Sequence, residues 1–161
     1  MKDEEEGMGQ EKVILLQEII SARGRRLRLR IRGASMSPTL RDGDLVEVRP
    51  VEPAQLRVGD LVLFKTQQGD LLVHRCVTKS DENGQVWFTT KGDASPSFDS
   101  PIGPEQVLGR VNLILRKRRP IYRENSQARL INYILARLSP YSSSIGRLAK
   151  GLGLQKLGCW R

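Results

Sequence analysis

A mainly β chain of short antiparallel strands, with a short helix before it and a helical extension after it, is predicted by three features of this sequence. Glycines and prolines cluster between residues 33 and 109, where turns are needed rather than helix interiors. Between them, apolar residues alternate with polar ones or form short runs, and the longest runs, such as Val13–Leu16 and Leu61–Phe64, have four residues. No stretch therefore approaches the roughly 20 apolar residues of a membrane-spanning helix. A length of 161 residues suits one compact domain with extensions, divided here into a lead and short helix over 1–25, a β domain over 26–116 and a basic helical tail over 117–161.

Taken in order, residues 1–10 read as a disordered acidic lead, and 11–22 as an amphipathic helix with Val13, Leu16 and Ile20 on one face. Residues 26–32 alternate strictly, Leu27, Leu29 and Ile31 against four arginines, which predicts a half-buried strand with a solvated arginine face. Turns at Asp42-Gly43-Asp44, Val58-Gly59-Asp60 and Gln68-Gly69-Asp70 lead into strands over 45–48, 61–65 and 71–78. Asn83-Gly84 favours the positive φ values of a tight hairpin and links to a strand over 85–91. An irregular segment, 92–104, precedes a last strand over 107–115. Beyond the basic run 116–119, closed by Pro120, residues 128–138 place Leu130, Ile131, Ile134, Leu135 and Leu138 on one helical face. That face is expected either to pack on the β domain or to lie in a membrane interface.

The net charge of +9 is unevenly spread: residues 33–109 carry seven basic and eleven acidic side chains, residues 110–161 twelve and one. A basic tail suits an anionic membrane, an acidic partner or nucleic acid, and charge alone does not choose among them. Cys76 and Cys159 form no disulfide framework and no CxxC or Cys/His metal cluster, which fits a reducing compartment; Cys76 is expected in the core. The acidic cluster at residues 3–6 is unlike a secretory signal. The expected location is accordingly cytoplasmic or peripheral on a membrane.

The chemistry concentrates in two boxes. Gly33-Ala34-Ser35-Met36-Ser37-Pro38-Thr39-Leu40 offers a hydroxyl on a glycine-led turn, and Leu72-Val73-His74-Arg75 holds the one histidine of the chain. Serine is a weak nucleophile until a neighbouring base takes its proton, and imidazole is the side chain best matched to that task near neutral pH. Ser35 as nucleophile and His74 as general base, later returning the proton to the leaving amine, is the expected pair.

These boxes, with Asp42-Gly43-Asp44-Leu45, Val58-Gly59-Asp60-Leu61 and a third box from Thr90-Lys91-Gly92-Asp93 to Val111, resemble the signal peptidase I family in its serine-histidine form, that of endoplasmic reticulum and archaeal enzymes. The resemblance covers residues 33–111. It implies a signal-peptidase-like β domain, a serine endopeptidase without cofactor, and an aspartate that orients His74. Asp93 and Asp99 both match the third box, and Asp93 is preferred. Where serine-lysine relatives carry a hydroxyl two places before the nucleophile this chain has Gly33, so the Ser35 N–H is the expected oxyanion donor. The implied substrate is a leader-containing protein or peptide, bound as an added strand with small residues before the cut.

Two other classes stay open. A DNA-associated regulator related to self-cleaving repressors would explain the basic charge, yet such repressors have a lysine where His74 stands, and residues 1–32 are short for a helix-turn-helix module. Nucleic acid is accordingly not the expected partner. A non-catalytic peptide-binding scaffold would keep its function without Ser35.

Overall fold

From residue 26 the alternation folds as one antiparallel sheet of seven strands. The computed structural model describes residues 26–82 and 84–138. The strands are β1 (Leu27–Arg30), β2 (Leu45–Arg49), β3 (Leu61–Lys65), β4 (Leu71–Glu82), β5 (Gln85–Lys91), β6 (Val107–Arg116) and β7 (Arg119–Arg123), followed by a helix, α1 (Ser126–Leu138). Their order is β1-β2-β6-β3-β4-β5, with β7 added to β6. Strand β6 pairs with β2 over Arg110–Leu115, with β3 near its start and with β7 near its end. Sharing β6 among three partners curls the sheet on itself.

Burial explains why the strand patterns differ. Leu61 and Leu63 of β3 enter a cluster with Met36, Leu40, Val46, Val48 and Ile114. Val62 and Phe64 enter a second cluster with Leu56, Cys76, Phe88 and Ile102. Strand β3 is thus covered on both faces, and its unbroken apolar run is what such a strand needs. Strand β1 is covered on one face and alternates.

The arginine face of β1 is exposed, as the alternation predicts, and two of its side chains are also paired. Arg26 and Arg28 donate to the carboxylate of Glu47, which is buried and also accepts from Asn112 Nδ2 at 3.0 Å. The Asn112 hydrogen bond, helped by the two arginines and opposed by burial, holds the Glu47 carboxyl below its ordinary value. Asp44 is likewise buried; burial alone would raise it, but the Arg116 fork, at 3.0 and 2.7 Å, and the Arg41 N–H hold it low. A carboxyl depressed in the folded state stabilises fully above its unfolded value, near pH 4, and loses that contribution as pH falls through the folded value. The urea midpoint is therefore expected to drop steeply between pH 4.5 and pH 2.5 (roughly, from those unfolded values), less so in Asp44→Asn or Glu47→Gln. A flat midpoint across that window would contradict the assignment.

Four elements depart from expectation. β1 covers only Leu27–Arg30 of the expected 26–32. β4 runs on to Glu82, past the expected end at Thr78, and a bulge between Cys76 and Thr78 interrupts its register with β5. The basic run 116–119 is a hairpin turn with Lys117 and Arg118 at φ 49° and 65°, and Pro120 lies inside β7, which among the described residues pairs with β6 alone. Proline is tolerated there because an edge strand needs only half its N–H groups. Helix α1 starts two residues before the expected 128, where the Asn125 side chain caps the Ala128 N–H at 2.8 Å. The face it turns inward is not the apolar one: its buried residues are Asn132 and Ala136. No helix among the described residues is long and apolar enough to cross a membrane. The expected helix over 11–22, Asn83, the segment after Pro140 and Cys159 lie outside the described residues.

Candidate active site

Ser35 sits on a chain of turns anchored from below. Gly33 takes φ +91°, a conformation costly for any residue with a Cβ, and its N–H donates to Asp42 Oδ1 at 3.0 Å. Met36 and Leu40 are buried in the first core cluster, so the loop is also pinned on the side that follows an exposed Ser35. The third box holds the same loop from the side, where the Ala94 N–H donates to the Ser35 carbonyl at 2.8 Å. A Cβ on Gly92 would stand 2.6 Å from that carbonyl oxygen, so this approach requires glycine.

His74 reaches Ser35 from β4. Its Nε2 lies 3.0 Å from Ser35 Oγ and its Nδ1 lies 2.7 Å from Asp99 Oδ2. Asp99 also accepts the Thr90 hydroxyl at 2.7 Å, and its N–H donates to the Thr90 carbonyl at 2.9 Å, which fixes the carboxylate relative to β5. Burial pushes the Asp99 carboxyl upward, but hydrogen bonds from His74 and Thr90 and the charges of His74 and Lys91 outweigh it and leave it below its ordinary value. The imidazole is buried, its edge meeting Phe64 at a ring separation of 6.2 Å, so its orientation is set by packing as well as by hydrogen bonds.

Asp93 is not on His74. It receives a two-pronged hydrogen bond from Arg75, Nε to Oδ1 at 2.8 Å and Nη2 to Oδ2 at 2.7 Å, and the Thr39 hydroxyl also donates to it. Nη1 of the same guanidinium, which is 0% exposed, donates to the Gly59 carbonyl at 3.1 Å and to Asn132 Oδ1 at 2.9 Å. Arg75 therefore joins the serine box, the third box and α1. Sequence inspection missed this role of Arg75 and Asn132, and the signal available for it was a charged residue at a core-facing register of β4. Removing one partner of a buried ion pair leaves the other charge uncompensated, at a cost of about 3–5 kcal/mol. Arg75→Met is expected to lower the thermal midpoint severely, whereas Asn132→Asp, which keeps an oxygen on Nη1, is expected to be far milder; differential scanning calorimetry compares them.

Two further groups bear on the chemistry. Burial pushes the Cys76 thiol up to about 12, with Asp60 adding to the effect, so this residue is inert packing two places from His74. Lys91 is also buried, which lowers its amine below the ordinary value against the opposing charges of Asp93 and Asp99. Among the described residues there is no cluster of side chains able to hold a metal ion.

A cleft of about 300 Å³ is lined by Leu29, Ile31, Met36, Leu71 and Val73 together with Ser35 and His74. Among the described residues β1 pairs only with β2, and residues 71–74 of β4 pair only with β3, since β5 joins β4 from Arg75 onward. Within the described residues both strands thus offer unpaired backbone along this apolar cleft. A larger cleft, about 620 Å³, is lined by Arg30, Arg41, Asp44, Arg116 and Lys117 and holds neither Ser35 nor His74.

Residues 2–111 match the model of the family described as Peptidase S24-like. Over 61 residues the chain is 36% identical to the signal peptidase complex catalytic subunit SEC11C of dog, human and mouse, a segment that is 37% of this chain and 32% of each relative. The matched segment spans about a third of the length of those relatives.

Proposed function

The chain belongs to the Peptidase S24-like family, and on that premise we propose that it is a serine endopeptidase of signal-peptidase type that removes a leader segment from a protein or peptide. The observation carrying this is the relay from Ser35 Oγ through the His74 ring to Asp99, with contacts of 3.0 and 2.7 Å. The carboxylate of Asp99 accepts the Nδ1 proton, which leaves the Nε2 lone pair facing the serine hydroxyl. Ser35 Oγ attacks the scissile carbonyl while Nε2 takes its proton, the Ser35 N–H stabilises the oxyanion, and the imidazolium gives the proton to the departing amine. Water then repeats the sequence on the acyl-enzyme and releases the second product. Asp99 serves as the orienting acceptor; Asp93 acts through Arg75 as a positioning residue. Gly33 gives the turn its shape.

The open edges of β1 and β4 support an extended substrate hydrogen-bonded as an added strand, with its side chains in the apolar cleft. Family membership also favours a second reading, cleavage of the chain's own backbone in the manner of the self-cleaving repressors. A fluorophosphonate probe tests the chemistry: labelling is expected in the native chain and absent in Ser35→Ala and His74→Ala. A leader peptide added to labelling-competent protein separates the two readings, since cleavage in trans supports the first, and mass loss by the chain alone supports the second. A native chain that neither labels nor cleaves would leave a peptide-binding scaffold.

A further inference from the structure

Helix α1 faces solvent with the wrong residues for a water-exposed surface. Leu130, Ile131 and Leu138 are 61%, 58% and 54% exposed, and Ile134 and Leu135 beside them are also exposed. On a helix these positions form one continuous stripe. The opposite side is committed: Asn132 is bonded to Arg75 and to the Tyr122 hydroxyl, and Gly59 lies so close that a Cβ there would meet the Tyr133 N at 2.7 Å. Rolling the stripe inward would therefore break a buried polar network. The stripe is built to meet something outside the sheet.

Charge says what that is. α1 carries Arg129 and Arg137 and no acidic residue. The one carboxylate between residues 117 and 138, Glu124, is held by Arg110 and Arg129 at 2.9 and 2.6 Å. A second copy of the chain would bring two such basic faces together. The following segment, 139–161, has four basic residues and none acidic, so it too would meet like charge on this face. A convex aliphatic stripe edged by arginines instead complements a surface that is apolar below and anionic above.

We propose that α1 docks the protein peripherally on an anionic membrane, its aliphatic stripe entering the interface and its flanking arginines meeting lipid headgroups. The docking is independent of the proposed chemistry, because none of its residues is Ser35, His74 or Asp99. It also requires no spanning segment.

Co-sedimentation of the full chain with vesicles tests it, using phosphatidylcholine alone and phosphatidylcholine with phosphatidylglycerol. Binding is expected only to the anionic vesicles and is expected to weaken with salt, since each basic residue near such a surface contributes about fivefold to partitioning. Leu130→Gln combined with Ile134→Gln and Leu138→Gln is expected to reduce binding on the order of a hundredfold, with an unchanged thermal midpoint because these side chains are exposed. Arg137→Gln should lower it by about fivefold. Native protein that stays in the supernatant overturns the proposal, and so does a triple variant that binds as the native chain does. Light scattering adds a further check: a native dimer that the triple variant converts to monomer would assign the stripe to a second copy and overturn membrane docking.

Discussion

Ser35→Ala is expected to abolish leader-peptide cleavage while leaving the free energy of unfolding within about 0.5 kcal/mol of the native value, the usual range for an exposed surface substitution. The change deletes one oxygen, whose contact is with His74 Nε2 at 3.0 Å. The loop does not depend on that oxygen: it is held by Met36 and Leu40 in the core, by Gly33 on Asp42 and by the Ala94 N–H on the Ser35 carbonyl. Loss of the nucleophile from a fully cooperative catalytic unit costs on the order of 10⁶ in kcat. The variant is expected to retain substrate binding, because the strand edges and apolar lining of the cleft are untouched, so a fluorescent leader peptide should bind it with near-native Kd. Cleavage by purified Ser35→Ala at the native rate would remove Ser35 from the chemistry altogether.

The sheet was legible where burial and sequence period agree. β3 and β5 occupy the residues their patterns indicate, and β2 and β6 do so to within one residue at an end, because one-sided and two-sided burial leave different apolar patterns. β7 was illegible for a reason of turn chemistry. Tight hairpins are normally flagged by Asn or Gly at positive φ, and here Lys117 and Arg118 occupy those conformations and read as a plain basic run. Amphipathicity identified α1 but not its orientation. The expectation that its apolar face packs on the sheet assumes that apolar burial decides docking, and here Asn132 completing the donor set of a buried Arg75 decides it instead.

In the site, a serine and a histidine far apart in sequence could be paired from their boxes, since each carries chemistry that few other roles use. Choosing the aspartate could not be done that way. Asp93 and Asp99 lie six residues apart in an irregular segment, and which one faces β4 depends on where that segment turns: Gly92 lets the chain pass against the Ser35 carbonyl, after which the Asp99 N–H docks on Thr90. Asp93 is left facing the opposite side of β4, toward Arg75. The preference for Asp93 was a preference between sequence neighbours, and the alternation of His74 and Arg75 on β4 sends the two carboxylates to different partners.

That separation gives Asp99→Asn and Asp93→Asn opposite expected signatures. In Asp99→Asn a single amide atom replaces the Oδ2 that serves both His74 and Thr90. With NH₂ at that position the Thr90 hydroxyl accepts instead of donating and keeps a partner, so stability is expected to change little, while the same NH₂ donates to His74 Nδ1, which favours the tautomer with the proton on Nε2 and leaves no lone pair facing Ser35. A wrong-tautomer loss of this kind is worth about 10⁴ in kcat with little change in KM. Asp93→Asn removes the charge opposite the buried Arg75, so the expected loss is stability, about 3–5 kcal/mol, with kcat falling much less in whatever fraction stays folded. Asp99 is held below the ordinary carboxylate range, so it is the ionised acceptor for His74 Nδ1 at neutral pH. Kinetics and urea unfolding of both variants decide the matter: Asp93→Asn inactive but stable, with Asp99→Asn active, would move the orienting role to Asp93 and leave the 2.7 Å contact of Asp99 with His74 without a catalytic part.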